Sequence, residues 1–386
     1  MKKTFFLLAF FSLFSLSIVQ AENINILLEQ NVHEALLEVC GPYYIYDPSS
    51  NSKITSGLLS KRFIVRSTAE GLKWGEEFVG INQIRVIPRN KDTSVLLNGI
   101  QYDGAIAIYK IGDKLKIINE VDVESYLKSI LTDHFSFPIE SEAMNAVAIV
   151  ERTWAYFQIQ KNKNYFWHID KTRIDYQGAA LIIPDSAIVE AVDATKDLIL
   201  VNSESNGPFA AVWNEHSAGK TAPYNMIFRQ DLNAPKTGVR SPLASLDRKD
   251  TNWSYTVSKE KLASLTGMKQ INQMQLFQDK SSGKVYGLRL KDKTTTRDLD
   301  FFALQAKLSK KALPSNDFVI EAQDKGIRFK GFGKGHGVGL CLYSASQLAQ
   351  NGEMAMKILS KFFPGTYIVN LTAYPLDLKP EKKSKK

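Results

Sequence analysis

The stretch GFGKGHGVGL, residues 331–340, places glycine at every second position and one histidine, His336, among them. An imidazole titrates near neutrality, so it can pass a proton, hold a hydrogen bond or ligate a metal. Were the segment extended, its glycines would share one face, and Phe332, Lys334, His336, Val338 and Leu340 the other. Glycine costs a strand packing and entropy, so such a run marks a tight bend or a close approach to the backbone. Phosphate-binding signatures fail on spacing. GxGxxG needs glycine where His336 stands, and no Gly-Lys-Ser/Thr closes a phosphate loop. His134, His168, His216 and His336 have ligand chemistry but no close ligand spacing, so no cofactor is expected, with zinc the weaker alternative. Cys40 and Cys341 alone build neither a cysteine-type zinc site nor a disulfide framework.

The elements that must carry these groups are mixed. Up to about Ile118 the chain reads as short alternating or apolar strands: NINILLEQ, YYIYD, RFIVRS, QIRVIPRN, SVLLNGIQYDGAIAIYKIG and KLKIIN. Asn98-Gly99 and Asp103-Gly104 are turn dipeptides between them. At Asp122 the period changes. Val123, Leu127, Ile130 and Leu131 share a helical face behind an Asp122 cap. Pro138 opens a second helix, Ile139 to Gln160, apolar nearly all round at AMNAVAIV and therefore expected in the interior. Arg152 within it must find a partner, because a lone buried charge is too costly. SAIVEAVDAT, SASQLAQ and EMAMKILSKFF read as helices, and DLILV, PFAAVW, KVYGLRLK and FVIEA as strands. The fold class is α+β: an antiparallel β-rich N-terminal lobe, 22–120, then a mixed helical and β lobe, 121–375, around a buried central helix.

The first 21 residues read as a secretory signal, with Lys2 and Lys3, an apolar run to Ile18, and Val19-Gln20-Ala21 as cleavage site. The mature chain is expected in the periplasm or the extracytoplasmic wall space. The formal net charge is +9, part of it in the KPEKKSKK end of a basic tail, 376–386, that reads as disordered. Outside the membrane such a surface meets anionic headgroups or wall polymer rather than nucleic acid, so weak tail contact with an anionic surface is expected.

Five ordered segments carry a family resemblance: NEVDVESYLKSIL, EAMNAVAIVERTWAY, AVDATKDLILV, WNEHSAGKT and GFGKGHGVGLCLYSASQLAQNG…ILSKFFPGT. They resemble the motifs of the stage II sporulation protein D family, which also contains an amidase enhancer. The resemblance runs from about Ile24 to Tyr374. It implies a peptidoglycan-acting protein, because family members include lytic transglycosylases that cleave the MurNAc–GlcNAc bond and enhancers of a separate cell-wall amidase. A lytic transglycosylase needs one acid/base. It protonates the glycosidic oxygen, then takes a proton from the sugar's own 6-hydroxyl as a 1,6-anhydro ring closes.

In the family that group is a glutamate ahead of the second helix. Glu142 matches the helix glutamate, and the gapless count back reaches His134, as does the count forward from Tyr126. Asp133 is the adjacent fallback, although successive helical side chains point about 100° apart. Val147 and Glu151 depart from the motif too: Glu151 stands where the family has the last alanine before Arg-Thr. Some members carry zinc-binding cysteines after the helix, and HIDKTRIDYQG has none. His134 is open to three readings: a substituted acid/base, a substrate-binding residue, or a surface histidine in a chain that has lost activity. His216, Ser217, Gly219 and Thr221 match the family's HS turn. With Gly335, His336 and Gly337 they are the implied substrate-binding residues, while Arg152 and Glu142 are structural. A serine-hydrolase reading of Ser217 lacks an identifiable orienting acid and oxyanion hole. The expected function is an exported peptidoglycan-binding protein, a lytic transglycosylase or its descendant, acting on glycan strands. The alternative is a non-catalytic enhancer or recruiter of a cell-wall amidase. Cleavage is expected to be weak or absent, and His134→Glu to increase it.

Overall fold

The computed structural model describes residues 22–135, 139–324 and 326–373. The expected signal segment, Pro138 and the basic tail lie outside the described residues. Two sheets build the N-terminal half. One runs in the order Ile169–Asp170, Asn23–Val32, Lys114–Asp122, Ala105–Ile111, Gln83–Pro88, Tyr43–Tyr46 and Lys53–Gly57. The other runs Ile100–Tyr102, Ser94–Leu97, Glu34–Cys40, Lys61–Ser67, Gly71–Trp74 and Glu76–Val79. Alternation does the sorting: Ile24, Ile26 and Leu28 on one strand, and Ala35, Leu37 and Val39 on another, enter one core. The Asn98-Gly99 turn has both residues left-handed, φ 51° and 82°, as a two-residue hairpin requires.

Helix α1 spans Val123–His134, and the Asp122 carboxylate accepts from the amides of Glu124 and Ser125, both at 3.0 Å. Helix α2 spans Ser141–Asn162, buried on most of its circumference. Their side chains join the core of the two sheets, so the β-rich part and the helices fold around a single interior. Arg152, fully buried on α2, finds the partner its charge demands. Its Nε and Nη2 donate to the Glu124 carboxylate at 2.8 and 2.7 Å, and its other hydrogens reach Thr195 Oγ1, Leu198 O and Val192 O. Glu142 accepts from the amide of Ala355 at 2.6 Å, at the start of the helix Ala355–Phe362.

Residues 252–332 form a second core that the sequence reading did not separate. Two three-stranded sheets, with the helices Lys259–Thr266 and Phe301–Leu308, pack around Leu262, Leu290, Leu304 and Phe329. The excursion begins and ends at one place, since Asn252 pairs with Phe332. PFAAVW does not form the expected strand. Ala210 N donates to Leu232 O and Ala211 N to Phe209 O, outside any strand ladder, and only Trp213–Asn214 pairs, in parallel with Leu340–Cys341. The α+β class stands, and no described helix is long and apolar enough to cross a membrane.

Candidate functional site

The alternating glycines are not an extended strand. The strand Gly326–Phe332 ends inside the stretch, and Gly333, Gly335, Gly337 and Gly339 then take φ of 77°, 98°, 65° and 74°. This is the left-handed region, open to glycine at little cost. What approaches the bare backbone is the protein's own chain. A Cβ on Gly339 would stand 1.9 Å from Val212 O, and one on Gly333 2.5 Å from His216 O. The winding turn is laced to residues 212–218: His216 N donates to Lys334 O at 2.9 Å, Lys334 N to His216 O at 3.0 Å, and Leu340 N to Val212 O at 3.1 Å. The Asn214 amide donates to Val338 O and Leu340 O at 3.0 and 3.2 Å.

That lacing holds Trp213 over the helices and closes a cleft of about 410 Å³. Tyr126, Ile130 and His134, four apart on α1, line one side, and Glu151 and Trp154 of α2 line another. Gly335, His336 and residues 211–215 complete it, with Arg173, Ile174, Asp175 and Lys310 at its margin. Of the residues expected from sequence, His134, Gly335 and His336 meet here. Gly337, His216, Ser217, Gly219 and Thr221 are not among the lining residues, and neither is Asp133, which is exposed.

Each histidine has a distinct situation. His134 is exposed, its Nδ1 2.7 Å from Ile130 O, so Nδ1 carries the hydrogen and Nε2 is left 3.9 Å from Asp175 Oδ2. Its ring meets Trp213 edge-on at 6.0 Å. His336 accepts from Val338 N at 3.2 Å through Nδ1, and burial pushes its pKa down to about 4, so it is a neutral clamp in the cleft wall. His216 lies beneath that wall. Its Nδ1 accepts from Ala218 N at 3.1 Å, its Nε2 is 3.5 Å from Asp247, and burial lowers its pKa against the opposing pull of Asp247. His168 accepts from Asn25 N in the β-rich half. Among the described residues no cluster of His, Cys, Asp or Glu is placed to hold a metal, and both cysteines are free.

The HS turn has a structural partner. The fully buried Lys284 donates to Ser217 O at 2.6 Å and to Asp317 Oδ2 at 2.8 Å, and Arg248 grips Asp317 at 2.7 and 3.0 Å while donating to Ala218 O. The ion triad thus ties the second core to residues 217–218. Gly219 (φ 106°) packs on Ser245, and Thr221 Oγ1 accepts from Val239 N.

Sequence reasoning noted Glu151 only as a departure from a motif. It is partly buried at the cleft, and the indole N–H of Trp213 donates to its Oε1 at 2.6 Å. Loss of hydration raises its pKa, partly opposed by Trp213 and by the charge of His134. Nearby, the buried Tyr126 hydroxyl and Asn214 Oδ1 have no hydrogen-bond partner among the described residues. The signal that could have found Glu151 was a carboxylate directly after the apolar run AVAIV, where the family motif has alanine.

Residues 112–202, which hold α1 and α2 and with them His134 and Glu151, match the stage II sporulation protein family, SpoIID. Residues 247–339 match a domain of unknown function, DUF8618, coinciding with the second core and most of the glycine turn. An uncharacterized protein of Chlamydia pneumoniae is 31% identical over 179 residues, 46% of this chain and 65% of that protein. The chain thus spans just under two thirds of that relative's length. An uncharacterized protein of Brachyspira hyodysenteriae is 27% identical over 357 residues, 89% of this chain and 92% of that protein. A Bacillus subtilis protein named amidase enhancer is 24% identical over 348 residues, 76% of this chain and 47% of that protein. The resemblance read from the motifs is borne out at the level of the family.

Proposed function

We propose that this is an exported cell-wall protein that binds the glycan strands of peptidoglycan in the cleft between α1, α2 and Trp213, and cleaves them as a lytic transglycosylase. The observation that carries the reading is the cleft itself. It is lined by His134 and Glu151, both within the residues that match SpoIID, and by the Trp213 indole beside the Glu151 carboxyl group. A sugar presents both kinds of surface, C–H faces that lie on aromatic rings and hydroxyls that need hydrogen-bond partners. The name of the Bacillus relative supports a second reading, in which the bound wall serves to recruit or activate an amidase.

Purified sacculi, incubated with the chain from Glu22 onward, test both. Co-sedimentation together with release of 1,6-anhydromuramic products is the expected result. Binding without such products supports the enhancer reading, and a protein that stays in the supernatant at low and moderate salt refutes both.

A further inference from the structure

We infer that Glu151 is the acid/base of this cleft, so that the proton-carrying carboxyl group stands on α2 instead of α1. The inference rests on the proposed glycan cleavage and names the residue that performs it.

Three features single this carboxyl group out. Glu151 lines the cleft from its helical side, while the other acids there are differently placed: Asp175 is largely solvent-exposed, and Glu215 is half-exposed and paired with Lys334. Its Oε1 is held by the Trp213 indole at 2.6 Å, and among the described residues Oε2 accepts no hydrogen bond. Tyr126 and Asn214, which line the same cleft, each keep a buried polar atom without a hydrogen-bond partner among the described residues. Desolvation then keeps the acid form available at higher pH, as a proton donor requires. In the reaction the Glu151 proton passes to the glycosidic oxygen as its bond to C1 breaks. The 6-hydroxyl oxygen of the same sugar bonds to C1, and the hydroxyl proton returns to the Glu151 carboxylate. His134, whose Nδ1 donates to Ile130 O, acts on Glu151 through its positive charge when Nε2 is protonated as well. The other titratable or charged groups around the cleft are Tyr126, Arg173, Asp175, Glu215, Lys310 and His336.

The experiment compares sacculus digestion, with mass analysis of 1,6-anhydro products, for the natural protein, Glu151→Gln and His134→Ala, with co-sedimentation alongside. Expected is natural cleavage, and a loss of at least about 100-fold in Glu151→Gln with binding retained. The natural rate should fall as pH rises through the Glu151 pKa. In His134→Ala that fall should move to higher pH, because a positive charge that lowers the Glu151 pKa has gone. Undiminished cleavage by Glu151→Gln overturns the assignment and leaves the proposed function standing. No cleavage by the natural protein overturns both. Should Glu151→Gln not fold, the natural protein decides alone, since a rate flat from about pH 4 to about pH 9 overturns the assignment.

Discussion

The helical wall of the cleft and the glycine wall opposite it are built by different means. On the glycine wall the backbone is engaged with the protein itself, while Asn214 Oδ1, His216 Nε2 and Ser217 Oγ are buried without a hydrogen-bond partner among the described residues. His216 and His336 each accept from an amide two residues on, and the turn from Gly333 to Gly339 is stitched to residues 212–218. On the helical wall Glu151 keeps an oxygen free, the Tyr126 hydroxyl lacks a partner, and Nε2 of His134 stands beyond hydrogen-bond length from Asp175. Dense motif on one side thus serves construction. The helical side carries the carboxyl group with an open oxygen, and the proposed chemistry rests on that group.

This contrast predicts that the glycine wall fails by unfolding and the helical wall by losing activity. Gly339→Val should have the largest effect. A β-branched residue at φ 74°, with its Cβ 1.9 Å from Val212 O, should cost at least about 4 kcal/mol in a urea titration or prevent soluble expression. A variant of near-natural stability would break the comparison. Arg152→Met comes next. It strips the buried Glu124 carboxylate of its partner and two carbonyls of their donor, for an expected loss of about 3 kcal/mol. A loss within a few tenths would show that solvent reaches the pair.

The smallest effect has the opposite sign. Glu151→Gln should stabilise the fold, increasingly so with pH. The folded-state pKa of Glu151 is raised, so in acid both folded and unfolded forms are protonated and the residue costs nothing. As pH climbs past the ordinary carboxylate range the unfolded chain ionises first, and stability drains away until the folded-state pKa is passed. The melting temperature of the glutamine variant should therefore exceed the natural one by a few degrees in mild alkali and match it in acid. A constant gap would mean that the carboxyl group is not desolvated.

Much of this was legible in the sequence, for identifiable reasons. The alternation in NINILLEQ and the Asp122 cap are local signals, and both elements formed. The all-round apolar α2 announced its own burial and the need of Arg152 for a partner. The motif count led to His134, which lines the cleft, but not to Glu151, whose setting depends on Trp213, 62 residues away. The glycine run misled because period two suggests a strand. Positive φ at every second residue produces the same spacing, and only the tertiary partner distinguishes them. PFAAVW has the composition of a strand but finds no neighbour to pair with along most of its length. The second core was hidden because its strands and helices look like those around it. What separates it is which side chains meet.

The meeting of Asn252 with Phe332 makes that second core topologically a single long loop, closed by its own first and last rungs. The path of the remaining chain does not depend on how much polypeptide lies between them, so the excursion can grow or shrink without re-threading the fold. The constraint falls on its underside, where Lys284 and Asp317 reach back to the Ser217 carbonyl and Arg248. A replacement that reproduced only the entry and exit would leave that carbonyl without its lysine and that guanidinium without its carboxylate. Interchangeability therefore ends at groups deep in the sequence of the loop, Lys284 and Asp317 with Asn316, which donates to His336 O, and the Pro314 carbonyl, which accepts from Gly335 N, and not at its junctions alone.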